Sequence, residues 1–240
     1  MTAILSKQLP VPLSLCDHTA RLSFYGAVAQ CMDIAADHAE QLDLGSHALS
    51  KQHRFWLAVR TKIRFTRRPV LSEEVTLSTW PQVPARARCV RQYAIEAQGE
   101  RIMSGKTEWA MMDLASGKLC DVSAVYGDID FCTDEGCTDA FSRVSEGFEP
   151  QQCIGQYTVS SADIDLGHHM NNAAYVRALF SMFTCAQLDE MDLHEAEFVY
   201  RAPCFEGETL QVFVRSVPQG IEAAFVKVDG KAAMLARLLS

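Results

Sequence analysis

Residues 163–180 read DIDLGHHMNNAAYVRALF and decide the architecture of the second half of this chain. Two acids, two histidines and two asparagines come first, and an apolar pattern with helical spacing follows at once. Asparagine is a preferred N-cap residue, so the polar cluster lies where a helix would begin. It fits two interpretations: a capping cluster, with Asn171 as the N-cap and Asp165 as a turn acid, or a catalytic group.

Helical patterns occur once in each half of the chain. In the second half, apolar residues share one face of the predicted helix: Val176, Leu179, Phe180, Phe183 and Leu188. In the first half, residues 23–45 show the same spacing, with Ser23 as the expected cap and Gly45 as the expected stop. The many small residues of this first helix favour close packing against another element.

A strand pattern follows the first helix. Residues 54–65, RFWLAVRTKIRF, alternate strictly, which predicts a half-buried strand with an outer row of cations. Its inward residues are predicted to be Phe55, Leu57, Val59, Ile63 and Phe65. Further strands are predicted at 74–80, 87–97 and 101–113, so this half reads as one helix followed by an antiparallel sheet.

The second half repeats the first. A shift of 148 residues lays Asp17 on Asp165 and Ser23 on Asn171. A shift of 134 lays 64–77 beside 198–211, with Pro69 on Pro203 and Glu74 on Glu208, and a shift of 131 lays 95–100 beside 226–231. We therefore expect an α+β protein of two tandem helix-plus-sheet repeats packed as a pseudo-dimer: an N-terminal domain at 1–128, an acidic linker at 129–150 and a C-terminal domain at 151–240.

Composition excludes several classes of protein. The net charge of -8 disfavours a nucleic-acid partner, and no apolar run approaches the length of a membrane helix or a signal peptide. The nine cysteines are an odd number without a CxxC pair, which predicts reduced thiols in a cytoplasm and no zinc site. No glycine-rich phosphate loop is present, so no cofactor is expected.

One basic segment stands out from this acidic background. Residues 54–91 hold nine Lys or Arg against two Glu, a local charge of +7, which predicts a docking face for an anionic partner. A solvated sheet face is the alternative. The candidates for docking are Arg60, Lys62, Arg64, Arg67, Arg68, Arg86, Arg88 and Arg91.

The phrase D-x-D-x-x-x-H-x-N-N-x-x-Y, here running from Asp163 to Tyr175, resembles the hotdog-fold thioesterases. The tandem copies, together with IRFTRRPVLSEEVTLSTWPQ and GERIMSGKTEWAMMD, resemble the acyl-acyl carrier protein thioesterases in particular. The resemblance covers nearly the whole chain. It implies a double hotdog fold and hydrolysis of fatty acyl thioesters of acyl carrier protein, with the catalytic groups in the second repeat and the acyl pocket shaped partly by the first.

Thioester hydrolysis needs an activated water or nucleophile and a stabilised oxyanion. Asp165 is predicted to act as the base, with direct nucleophile as the alternative role. His169 is predicted to orient or polarise water or the carbonyl, and Asn171 to fix the turn or hold the substrate. Two positions depart from the family pattern: Gly167 replaces an Asn, and Pro203 replaces a Glu. Residues near these positions are candidates for catalytic support: Gly167, His168, Cys204 and Glu206.

The resemblance also implies a pocket and a partner. The predicted pocket residues are Val28, Met32, Trp56, Asn172 and Tyr175. The expected partner is acyl carrier protein with a phosphopantetheine-linked acyl chain. This protein is expected to be a monomer or homodimer, and its basic face is expected to bind the acidic carrier and the phosphate. Two alternatives stay open: an acyl-CoA thioesterase, which shares the catalytic phrase, and a non-catalytic acyl-binding hotdog protein.

Overall fold

The computed structural model describes residues 4–123, 125–127 and 129–240. Residues 1–3, 124 and 128, which belong to the predicted N-terminal domain, lie outside the described residues. The chain divides into two compact units, Met1–Asp139 and Ala140–Ser240. The domain boundaries and the separate linker stay a prediction. Within the described residues, no helix combines the length and the hydropathy needed to cross a membrane.

The first unit is one long helix with an antiparallel sheet. Its elements are β1 (Leu5–Pro10), α1 (Phe24–Gln41), α2 (Ser46–Ser50), β2 (Arg54–Phe65), β3 (Glu74–Pro81), β4 (Cys89–Ala97), β5 (Glu100–Asp113) and the short β6 (Lys118–Leu119). The strands lie in the order β1-β3-β4-β5-β2, with β6 on β5. Ser23 caps α1 as predicted, since its hydroxyl accepts the Gly26 N–H at 2.9 Å. Gly45 instead precedes α2, because α1 already ends at Gln41.

The second unit has the same plan. Its elements are β7 (Cys153–Thr158), α3 (Asn172–Phe180), α4 (Cys185–Met191), β8 (Glu195–Tyr200), β9 (Thr209–Val217), β10 (Gly220–Val226) and β11 (Ala232–Leu239). The strand order β7-β9-β10-β11-β8 matches that of the first unit, element for element. The prediction of an α+β protein built from two hotdog repeats is confirmed.

Hydrogen bonds confirm the duplication at the shift of 148. The Asp17 N–H donates to the Arg21 carbonyl and the Asp165 N–H to the His169 carbonyl, at 2.9 and 3.0 Å. The isolated bridges repeat as well, Cys16 with Leu22 and Ile164 with Met170.

The shift of 134 is wrong by one residue. Val70 and Glu73 close a turn in the first unit, and Phe205 and Glu208 close its counterpart, so the true shift is 135. Glu208 therefore corresponds to Glu73, and Pro203 corresponds to Arg68. Nothing in the side-chain pattern marks this step, whereas the backbone hydrogen bonds determine it.

The strict alternation predicted for β2 is also wrong. A β-bulge between Ala58 and Arg60 adds a residue, and the pairing of Trp56 with Met111 and of Thr61 with Thr107 brings even and odd positions of β2 onto one face. Hence the inward set is not continuous through the strand.

The predicted second helix is shorter than its apolar pattern. α3 ends at Phe180, and Thr184 begins α4 with a capping box in which Gln187 takes part. Phe183 therefore lies between two helices and Leu188 lies in the second. Local capping chemistry interrupts a pattern that periodicity reads as continuous.

The acidic segment 129–139 lies against the first unit's sheet. Arg64 binds the Asp139 carboxylate at 2.9 Å and Arg101 binds Asp134 at 2.7 Å. The buried Trp80 indole donates to the Asp134 carbonyl at 2.7 Å. Part of the local positive charge is thus neutralised within the chain.

Candidate active site

The residues that carry the catalytic phrase form a tight turn between β7 and α3. The bridge between Ile164 and Met170 closes it, and the His168 N–H donates to the Asp165 carbonyl at 3.0 Å. His168 has a φ of 60°, in the left-handed region that histidine enters more readily than most residues. The turn is tied to the 202–208 loop, because the Met170 N–H donates to the Cys204 carbonyl at 2.7 Å.

Asp165 and His169 come together at this turn. The Asp165 Oδ1 lies 3.7 Å from the His169 Nδ1, and both side chains are about a fifth exposed, 23% and 22%. The same oxygen accepts the Gly167 N–H at 2.8 Å. Among the described residues, that N–H is the hydrogen-bond donor found for this carboxylate. At 3.7 Å the pair is near but not hydrogen-bonded, a spacing typical of catalytic groups without substrate.

Gly167 lies directly beside this pair. A Cβ placed on it would lie 2.9 Å from the His169 Nε2 and 3.1 Å from the Asp165 Oδ1. Its φ is not in the left-handed region, so the backbone itself accepts other residues. Any side chain at this position would therefore crowd both the carboxylate and the imidazole.

Asn171 acts as the N-cap of α3, because its Oδ1 accepts the Ala173 N–H at 2.8 Å. The capping interpretation is correct for this residue, and its predicted role in fixing the turn agrees with that bond. The Asn172 Nδ2 is buried and has no hydrogen-bond partner in the described part of the chain. Tyr175 is buried and donates to the Ala202 carbonyl at 3.4 Å.

The candidates for catalytic support lie around the pair in different ways. His168 and Glu206 are exposed. Cys204 is fully buried, and its burial raises the pKa of its thiol. A protonated, buried thiol is a poor nucleophile.

The sequence did not predict two interactions near the site. Glu208 binds Lys227 at 3.0 Å, and although desolvation raises its pKa, hydrogen bonds from Lys227 and Phe205 hold the pKa of this carboxyl below its usual range. The second is a network around Asp163, a buried carboxylate that binds Arg177 at 2.6 Å. The first acid of the D-x-D phrase was the available signal for this network.

The first repeat builds the equivalent turn with different chemistry. Arg68 forms an ion pair with the Asp17 carboxylate, and Thr19 donates both its N–H and its hydroxyl to it, at 2.9 and 2.6 Å. In the second repeat Pro203 replaces this arginine and Gly167 replaces the threonine. His169 replaces Arg21. The first acid is thus held by a cation, while the second lies beside an imidazole.

The predicted pocket residues of the first unit lie on two elements, Val28 and Met32 on α1 and Trp56 on β2. Val28 is fully buried in α1 and Met32 is partly buried. The Trp56 indole donates to the Leu44 carbonyl at 2.9 Å and packs against Tyr126, ring centroids 6.2 Å apart. Tyr126 lines a cavity of about 570 Å³ that none of the three predicted pocket residues lines; its apolar lining includes Leu42, Leu44, Leu49, Val125 and Ile129.

Two of the docking candidates are not on the surface. Lys62 and Arg91 are each only 4% exposed, and the Arg91 guanidinium lies 2.9 Å from the Nδ1 of the buried His38. These two assignments are wrong, because alternation along a strand does not reveal what covers its second face.

The other docking candidates are mostly engaged in ion pairs. Arg60 and Arg88 share Glu108, at 2.8 and 3.3 Å, and Arg67 makes two hydrogen bonds to Glu73. Arg86 is the most exposed, with 91% of its side chain in solvent and a distant contact of 3.6 Å to Asp121. No cluster of three potential metal ligands occurs in residues 4–123, 125–127 and 129–240.

Comparison with known proteins agrees with this architecture. The family model described as "Acyl-ACP thioesterase N-terminal domain" matches residues 4–128, and the model for the C-terminal domain matches residues 149–229. The oleoyl-acyl carrier protein thioesterase of Coriandrum sativum is 25% identical over 72% of this chain and 52% of its own length. The second such enzyme of Arabidopsis thaliana is 21% identical over 77% of this chain and 55% of its own. The chain spans about half the length of the curated relatives it matches.

Two solved structures share the fold. An acyl-ACP thioesterase from Bacteroides thetaiotaomicron superposes with a TM-score of 0.88, at 20% identity, over 99% of this chain and 97% of its own. The 12:0-ACP thioesterase from Umbellularia californica gives 0.87 at 16% identity, over 100% and 97%. Because both family models match in order and together account for most of its residues, the chain belongs to the acyl-ACP thioesterase family.

Proposed function

We propose that this protein hydrolyses the thioester of fatty acyl-acyl carrier protein and releases a free fatty acid and the carrier thiol. The observation that carries the proposal is the difference between the two repeats. One turn holds its aspartate in an ion pair with Arg68, whereas the other leaves Asp165 beside His169. A carboxylate next to an imidazole is suited to activate a water molecule.

In the proposed reaction Asp165 acts as the general base. It takes a proton from a water held between its carboxylate and the nearby His169 imidazole. The water oxygen attacks the thioester carbonyl, and the tetrahedral intermediate then breaks its carbon–sulfur bond. The released thiolate takes up the proton, so the net change is water and thioester to acid and thiol.

Asn171 and Asn172 supply positioning at the start of α3. The cap made by Asn171 fixes where the first backbone N–H groups of the helix point, and these groups carry partial positive charge. We assign the oxyanion to this helix start and to the buried Asn172 amide, whose N–H is not otherwise used within the described residues.

Acyl carrier protein is the proposed donor of the acyl chain. Lys62 and Arg91 are excluded because they are buried. Of the remaining docking candidates, those with the most exposed side chains are Arg64, Arg67, Arg86 and Arg88. An acidic carrier competes with the intramolecular carboxylates for these cations, which makes docking dependent on salt. The cytoplasmic location and the monomeric or dimeric state stay predictions; all nine cysteines lie in the described residues and are free thiols.

The experiment compares the native protein with Asp165→Asn on acyl carrier proteins loaded with several chain lengths. We expect the native protein to release fatty acid and thiol, and Asp165→Asn to lose at least about 100-fold in kcat with an unchanged melting temperature. Asp17→Asn is the matched control, since it alters the equivalent acid of the first repeat. Near-native turnover by Asp165→Asn contradicts the assignment.

The same acyl chain on CoA separates the leading alternative. A carrier-specific enzyme has the higher kcat/KM on the carrier-bound substrate, and added salt reduces that advantage. Equal rates on both substrates, at all salt concentrations, identify an acyl-CoA thioesterase instead. Binding of acyl chains without hydrolysis of either substrate identifies the non-catalytic protein.

A further inference from the structure

A buried ionic network surrounds Asp163, two residues before the proposed base. Its Oδ2 accepts the Ser160 N–H and hydroxyl, both at 2.8 Å, and the Tyr157 hydroxyl at 2.9 Å. Its Oδ1 accepts from Arg177, in the second turn of α3, at 2.6 Å. Asp163 is 1% exposed. Its carboxylate thus joins β7, the 3-10 turn Ser161–Asp163 and α3.

The same residue also holds the turn through its backbone. The Asp163 carbonyl accepts the Asn171 N–H at 2.8 Å, which closes the loop that carries Asp165 and His169. Asp163 is therefore fixed on both sides of that loop: toward the preceding strand through Tyr157 and toward the helix through Arg177.

The first repeat shows that the fold does not need this network. At the shift of 148, the equivalents of Tyr157, Ser160, Asp163 and Arg177 are Leu9, Pro12, Leu15 and Ala29. None of these four can form an ion pair. Yet the Leu15 carbonyl still accepts the Ser23 N–H at 2.9 Å, and the turn closes in the same way. Apolar residues therefore suffice to build the turn.

The Asp163 carboxylate loses its hydration on burial, whereas the Arg177 side chain stays 45% exposed, so their ion pair must offset a desolvation cost and is rarely more stabilising than apolar residues of similar size. The second repeat keeps such a pair where the first shows that an apolar set works. Global stability is thus a weak explanation for it. Fixed direction is a better one, since an Asp held by four donors cannot change rotamer without breaking several bonds.

We propose that the Asp163–Arg177 network is a positioning element that holds the loop of Asp165 and His169 in its reactive arrangement. This inference rests on the proposed function. Neither Asp163 nor Arg177 touches the reacting atoms in this assignment; they act through the loop. A shift of about 1 Å in catalytic groups can reduce a rate by up to about 100-fold, which sets the scale of the expected effect.

The test replaces the pair by the residues of the first repeat, in the variant Asp163→Leu/Arg177→Ala. We expect kcat to fall about 10- to 100-fold with KM within about twofold and a melting temperature no lower than native. The single variant Arg177→Lys keeps the charge and should therefore retain most of the native kcat. The control is Arg215→Met/Glu222→Leu, which removes a different ion pair of the second unit; within the described residues no hydrogen bond or ion pair joins it to residues 163–171. Its kcat should equal the native value.

Amide hydrogen exchange supplies a readout that does not depend on turnover. In the double variant the amides of Asp165 and Asn171 should exchange faster, while those of β9 and β10 keep their native rates. If the native protein hydrolyses thioesters and the double variant keeps native kcat, or loses kcat only in proportion to folded protein, the positioning role is refuted. Unchanged exchange in the loop refutes it even if the native protein hydrolyses nothing, an outcome that separately ends the proposed function.

Discussion

Adding one methyl group at Gly167 tests whether Asp165 and His169 act together. The new Cβ would lie 2.9 Å from the His169 Nε2 and 3.1 Å from the Asp165 Oδ1. Carbon contacts are comfortable at roughly 3.5 Å, so the imidazole must move by about 0.5 Å. A displacement of about 1 Å can reduce the rate by up to about 100-fold. A displacement of about half that size therefore suggests a loss of about tenfold in kcat, or about 1.4 kcal/mol of transition-state stabilisation.

The fold should tolerate this change. Gly167 has no left-handed φ, and Gly-to-Ala replacement at a compatible backbone stabilises by about 0.4–1 kcal/mol through the unfolded chain. That gain offsets the crowding, so we expect a melting temperature within about 3 °C of native. The assay is steady-state release of thiol from acyl carrier protein, beside thermal unfolding followed by circular dichroism.

Gly147→Ala is the matched control. Gly147 also lacks a left-handed φ, and its added Cβ would meet only the Ser145 hydroxyl at 3.9 Å. Native kcat in Gly147→Ala and a tenfold loss in Gly167→Ala support the pair. Native kcat in both variants would show that turnover does not depend on the arrangement of Asp165 and His169 beside Gly167. The water position proposed for Asp165 would then be wrong.

Three further predictions concern the first repeat, the docking surface and the buried thiol. Desolvation raises the pKa of Asp17, but hydrogen bonds from Thr19 and Arg68 outweigh it and leave that pKa below its usual range; the stabilisation is therefore present above the unfolded pKa near 4 and lost as pH falls through the folded pKa. Asp17→Asn should lower the free energy of unfolding by about 1–2 kcal/mol at pH 7 and by progressively less below about pH 4, as measured by urea unfolding; an equal loss at pH 3 contradicts this. Arg86→Glu should raise KM for carrier-bound substrate several-fold at low salt, with no change for acyl-CoA, and an effect that persists at about 1 M salt argues against electrostatic docking. Cys204→Ala should keep kcat within about threefold, because the buried thiol stays protonated, whereas loss of all turnover in a folded variant would assign it a direct role.

The sequence alone determined the duplication and the type of the elements that it predicted. Ser23 and Asn171 mark two helix starts because side-chain capping is local chemistry, and a shift of 148 aligns them without any structure. The predicted strands at 74–80 and 101–113 agree with β3 and β5 because alternation with turn residues is also local. Asp165 and His169 are four residues apart, so their proximity followed from the turn between them.

What only the tertiary structure decided depends on contacts between distant residues. The bulge in β2 reverses which side chains face inward in one part of the strand, and the alternation of the sequence does not reveal it. Lys62 and Arg91 are buried under elements that are distant in sequence. The pairing of Arg68 with Asp17 spans 51 residues, and its absence in the second repeat becomes visible only once hydrogen bonds set the shift at 135 rather than 134. Charge and periodicity are properties of neighbours along the chain, whereas burial and ion pairing are properties of neighbours in space. For that reason the sequence predicted the turn that carries Asp165 and His169, but it did not predict the Asp163–Arg177 network.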